Sequence, residues 1–157
     1  MNEFVAKKLG EVLAFTQVGT DTYEKGKSAL VTAIGAERFA DIEDKNRIHA
    51  EAVMKIATDA GMIDVTLAKA EKTGEKLKAM RDLYVGDQWD NATELMEWSG
   101  FFEGAAVVHW ALVRGAAEGM NDETLLELAN EGVNWHYELL ELAESELGTT
   151  GQNKTTE

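Results

Sequence analysis

The sequence predicts an all-α fold, a bundle of long helices, and three observations predict it. The 157 residues include no Pro and are rich in Ala, Leu, Glu, Lys and Met, the residues that lose least on entering a helix. Apolar side chains recur at steps of three and four through nearly the whole chain, as one face of a helix requires. Glycines and capping residues fall where these stripes stop. At 45% hydrophobic and 28% charged, a chain of this length can bury one core, so a single domain over residues 1–148 is expected.

Each element follows from its stripe. The first segment, from Asn2 to about Ile34, carries Val5, Leu9, Val12, Thr16, Gly19, Tyr23, Gly26 and Leu30 on one face and reads as one long helix. Gly35 punctuates, and a second stripe runs through Phe39, Ile42, Asn46, His49, Val53, Ile56 and Ala60 to Gly61, so these two helices should form an antiparallel hairpin. Asp64 offers an N-cap for a third helix with a narrower stripe at Leu67, Ala70, Gly74, Leu77, Met80 and Tyr84. Its length, roughly 30 Å at about 1.5 Å per residue, suits a crossover that carries the chain from one end of a bundle to the other. Asn91, with Glu94 three residues on, resembles a capping box that opens a fourth helix with Leu95, Ser99, Phe102, Ala106, His109, Val113 and Ala116 in register, closed by Gly119. Asn121 or Asp122 caps a fifth, with Leu125, Ala129, Gly132, His136, Leu139, Ala143 and Leu147, which should end at Gly148. The polar tail 149–157 is expected to be disordered.

Composition narrows the function. The chain has no Cys, which excludes disulfides, thiolate catalysis and Cys-ligated zinc or iron–sulfur centres, so a metal would need His, carboxylate or amide ligands. A net charge of −14 offers no basic stripe to nucleic acid or anionic lipid. No stretch reaches the roughly 18 apolar residues of a membrane span, and a cytoplasmic protein is expected.

The chain has three histidines, His49, His109 and His136, and each falls on the inward stripe of a different helix. Counted from the turns at about 1.5 Å per residue, His49 lies about 21 Å from Gly35, while His109 and His136 lie roughly 17 and 23 Å from the turn at residues 120–121, so all three come near mid-bundle. Imidazole is the commonest protein metal ligand, and bundle cores hold metals between facing helices. Glu103, near the same level, is the expected oxygen ligand, with Glu43, Glu24 and Glu11 as weaker candidates off their stripes. The alternative is that each His is an ordinary core residue bonded to backbone, Asn46 or Thr16. Trp98, Phe101, Phe102, Trp110 and Trp135 supply core and dimer packing or, less simply, an apolar ligand pocket. Gly100 and Gly104 allow a close helix contact, within the bundle or in a dimer.

The two hairpins joined by a long crossover resemble the ferritin-like superfamily over residues 2–148, and the segment RIHAEAV, Arg47 to Val53, is similar to the rubrerythrin-type stretch around a ligand His. In that family one Glu from each of two helices, and a Glu-x-x-His pair from each of two others, bind two irons. Here the histidines match and the motif glutamates do not. The sequence reads Asn46-Arg47-Ile48-His49 in one helix and Val133-Asn134-Trp135-His136 in the other. The resemblance puts Glu103 in place of one family carboxylate, and the missing glutamates imply one metal ion in place of two. The expectation is therefore a ferritin-like metal-binding homodimer, with His49, His109, His136 and Glu103 around iron or, from the nitrogen-rich donors, zinc. Redox-active iron there would imply oxidation by dioxygen or peroxide. Glu103 and His109 lie six residues, about 9 Å, apart along one helix, which works against both binding one ion. A non-catalytic interaction module that kept the bundle and lost the metal is the competing expectation.

Overall fold

Gly35, Gly61 and Gly86, all with positive φ, turn the chain at three corners. The computed structural model describes residues 1–156, with no strand among them. The first segment divides at Gly26 into α1 (Glu3–Lys25) and α2 (Lys27–Ile34), followed by α3 (Ala36–Asp59). Then come α4 (Ile63–Val85), α5 (Ala92–Met120) and α6 (Glu123–Lys154). The joint at Gly26 bends the backbone without breaking the ladder, since the Gly26 N–H donates to Thr22 O and its carbonyl accepts from the Leu30 N–H, both at 3.0 Å. A Cβ at Gly26 would sit 2.6 Å from Leu95 Cδ1, so α5 packs directly against the joint.

Side-chain caps account for three of the six helix starts. Asn2, Asn91 and Asp122 each accept backbone N–H groups of the turn that follows, Asn91 and Asp122 as their sequence positions predict. Asp64 is not the cap of α4: the helix begins one residue earlier, and Asp64 lies in its first turn, where a negative charge suits the helix dipole. Two ends also differ from expectation. α5 passes Gly119 and stops at Asn121, which takes the left-handed conformation (φ 53°). α6 passes Gly148 and runs to Lys154, so the tail expected to be disordered is helical over 149–154, and only its last residue, 157, lies outside the described residues. Gly148 has no positive φ, and without a turn to make it is simply a weak helix residue.

Contacts along the helices set their directions. Tyr23 packs on Phe39, and Gly19 lies against Asn46, so α3 runs antiparallel to α1. Thr66 Oγ1 donates to Ala6 O at 3.1 Å, and Arg81 reaches Asp21, so α4 runs parallel to α1 along its whole length. Gly26 lies against Leu95, Gly19 against Phe102 and Phe15 against His109, which makes α5 antiparallel to α1. α6 returns beside α5 and lies against α3, through Lys45 over Trp135 and Glu131 near His49. α4 therefore acts as the expected crossover, and α3 and α5 run the same way. One contiguous apolar core draws on all six helices, with Trp110 fully buried at its centre. At Gly132 a Cβ would meet the Trp110 ring at 2.3 Å, so this glycine lets α6 close onto α5 over the indole.

Candidate functional site

Phe39, Ile42, Asn46, His49 and Val53 of the predicted α3 stripe are buried, whereas at its end Ile56 is half-buried and Ala60 exposed, with Ala57 facing the core instead. His49 is 0% exposed. His136 occupies the matching inward position on α6, and Glu103 lies buried on α5 between Phe102 and Ala106. Glu103 and His136 are in direct contact between α5 and α6, and His136 lies near enough to His49 on α3 to act on its charge.

His136 Nδ1–H donates a short hydrogen bond to Glu103 Oε2. The other ring nitrogen of His136, Nε2, is buried with no hydrogen-bond partner. Both nitrogens of His49 are likewise buried and unpartnered. Burial pushes the His49 pKa down to about 4, with the nearby His136 and Lys45 opposing a further positive charge, so the ring is neutral at neutral pH. The Trp110 ring packs edge-on at 5.8 Å from His49 and shields it from water. Tyr23 is also buried here, and its hydroxyl is held well above the ordinary phenol range, first by burial and then by the Glu103 charge.

The outer boundary of the site lies between α3 and α6. Glu131 Oε2 stands 3.9 Å from His49 Nε2, beyond hydrogen-bond reach, with most of its side chain in water. It helps to line a shallow surface depression of about 220 Å³ with Lys45, Asn134, Trp135 and Glu138. Glu131 thus stands on the path between solvent and His49.

The four residues expected to share one site divide into three and one. The Nδ1–H of His109 donates to Ala105 O, one turn back on α5, at 2.7 Å, and its ring turns toward α1 and packs on Phe15. Its Nε2 lies 3.9 Å from Glu11, whose carboxylate is already engaged by Lys8 and Lys69. None of these contacts is with His49, His136 or Glu103. The reason is rotational: six residues at about 100° each leave His109 and Glu103 roughly 120° apart around α5. The other candidate carboxylates also stay apart from the histidine pair. Glu43 shares a hydrogen bond with Glu24, which raises its pKa, and Glu11 belongs to the His109 cluster. Among the described residues no group of three or more His, Asp or Glu side chains is placed to hold a metal ion.

Each histidine meets the ordinary-core alternative differently. His109 fits it, bonded to backbone. His136 is satisfied on one side only, by Glu103. His49 does not fit it, because Thr16 spends its hydroxyl on Leu13 O and neither His49 nitrogen has a partner. Sequence reasoning treated Tyr23 as a plain core residue and did not single out Glu131. Tyr23 sits on the inward stripe and could have been found there, whereas Glu131 precedes the Gly132 stripe position and carries no signal.

Comparison of the chain with protein-family models, with curated proteins and with solved structures gives no match.

Proposed function

We propose that the chain is a divergent ferritin-like protein that binds one transition-metal ion between His49 and His136. In this reading Glu103 acts through His136 and does not itself touch the metal. The observation that carries it is the set of three unpartnered imidazole nitrogens in a water-excluded core. Buried polar atoms nearly always have a partner, and leaving one without costs about 1–3 kcal/mol. Two imidazoles from facing helices supply nitrogen donors of the kind iron and zinc accept. A carboxylate on the far nitrogen of His136 is the support that metal-bound histidines usually have, since it sets the tautomer and strengthens the donor. The crossover topology and the α3 and α6 positions of the two histidines favour the ferritin-like assignment. Iron follows from that resemblance, and zinc from the donor set alone. Glu131, or water, would complete the coordination from the solvent side. A chain without Cys, in which no helix among the described residues is long and apolar enough to cross a membrane, is compatible with the cytoplasm.

The test is metal content and titration of chelator-stripped protein with Fe(II), under anaerobic conditions, and with Zn(II). One ion per chain, lost in His49→Ala and in His136→Ala but retained in His109→Ala, is the expected result. If no ion binds under either condition, the metal reading fails. The second reading, a helical interaction module without metal, rests on Asn46 and Val133 where the family has glutamates. It predicts that very absence of binding.

A further inference from the structure

The outward face of α5 carries a feature that the buried site does not use. Phe101, Ala105, Val108, Leu112, Gly115 and Gly119 alternate by four and three residues, the spacing of a coiled-coil seam. The seam runs for about 27 Å without a charged side chain. Phe101 is 63% exposed and Val108 62%, and Leu112 is also in water. At Gly115 and Gly119 nothing lies within 4 Å of where a Cβ would stand. Near Phe101 the apolar surface widens onto α4, where Met80, Leu83 and Tyr84 line an open depression of about 450 Å³ with Trp98.

We propose that this face is the interface between two copies of the chain, with their α5 helices crossing antiparallel about a two-fold axis at the level of residue 110. The seam is complementary to itself in that arrangement. Phe101 of one copy meets the gap at Gly119 of the other, Ala105 meets Gly115, and Val108 meets Leu112. A parallel pairing would stack Phe101 on Phe101 and leave Gly115 and Gly119 facing their equivalents across a void. The area also points to a partner. The exposed side chains of the seam and of α4 amount to on the order of 600 Å², the top of what a monomer's largest apolar patch usually reaches. Covered on both copies this gives about 1,200 Å², the lower bound for a stable interface. Electrostatics favours the same face: each copy carries −14, and the seam positions themselves bear no charge.

The test is sedimentation equilibrium of the full chain, which is 17.2 kDa as a monomer. Twice that mass is expected, with Val108→Glu and Leu112→Glu each weakening the dimer at least about 100-fold at unchanged helical circular dichroism, because each buries an unpaired charge. Because the chain has no Cys, mild oxidation of a mixture of Val108→Cys and Leu112→Cys chains should give the mixed disulfide in preference to either self-linked product. This second arm reads the register without placing a charge in the seam, so it stands even if a Glu variant loses helicity. A monomeric chain well above micromolar concentration would overturn the proposal, as would a dimer that survives both Glu variants or Val108→Cys linking chiefly to itself. Metal-stripped protein should dimerise equally, which keeps this test separate from the metal reading.

Discussion

Arg81 on α4 and His49 on α3 are both shut off from water, yet their surroundings differ in kind. The Arg81 guanidinium donates to Asp21 at 2.5 Å, to Thr22 at 3.2 Å and to Asp82 at 2.9 Å, and it lies 5.1 Å over the Trp89 ring. That charge is paired with two carboxylates and a hydroxyl, and it fastens the crossover to α1. His49 has no hydrogen bond, and the exposed Glu131 stands 3.9 Å from its Nε2. A buried basic group with a full set of partners holds a fold together. One left without them in an otherwise dry core is a place where something else can bind.

The comparison can be sharpened or broken, and the largest effect belongs to Arg81. Arg81→Ala removes a buried charge from its partners and should cost about 3–5 kcal/mol in urea unfolding. A loss under about 1 kcal/mol would mean that the pair with half-exposed Asp21 behaves as a surface contact.

The pH dependence of His49 comes next. Its folded pKa lies below its unfolded value, so the unfolded chain takes up a proton below about pH 6.5 while the folded chain resists until near pH 4. Stability of the metal-free protein is therefore complete above pH 6.5 and should fall by roughly 3 kcal/mol as the pH drops through that window. The difference between wild type and His49→Leu across pH 4–7 isolates the effect from the carboxylates, and parallel curves would show that His49 is not buried as a neutral ring.

Glu103→Gln should then weaken metal binding by about 10–100-fold, because the neutral amide holds His136 less firmly and no longer strengthens its donor nitrogen. Zn(II) titration of stripped protein reads this directly, and an unchanged affinity would remove Glu103 from the site. The smallest change expected is in the stability of metal-free His49→Leu, which should stay within about 1 kcal/mol of wild type or rise, since no protein hydrogen bond is lost. A drop of about 3 kcal/mol in chemical denaturation would place His49 with Arg81 as a structural residue and erase the contrast.

Much of this was legible in the residues themselves. The inward stripes of the second and fifth predicted helices placed His49 and His136 in the core, and the caps at Asn91 and Asp122 are where the side-chain chemistry puts them. Glycine was read less well as a stop. Gly35, Gly61 and Gly86 turn corners, whereas Gly119 and Gly148 do not, because glycine permits a positive φ without requiring it. The joint at Gly26 left no mark in the periodicity, since the stripe continues through it.

The amino-acid order alone determined the helical class, the approximate element borders, the acidic surface and the burial of two histidines, because these follow from local propensity and a period of 3.6 residues. The assignment of partners was decided only by the tertiary structure. A helical stripe says that His109, His136 and Glu103 leave the solvent side of their helices, but it does not say which neighbour each will meet. That depends on rotation about the helix axis, where one residue is about 100°, and on which helices pack side by side. So Glu103 met His136, His109 turned to Glu11 and Phe15, and His49 was left facing the core without a hydrogen bond.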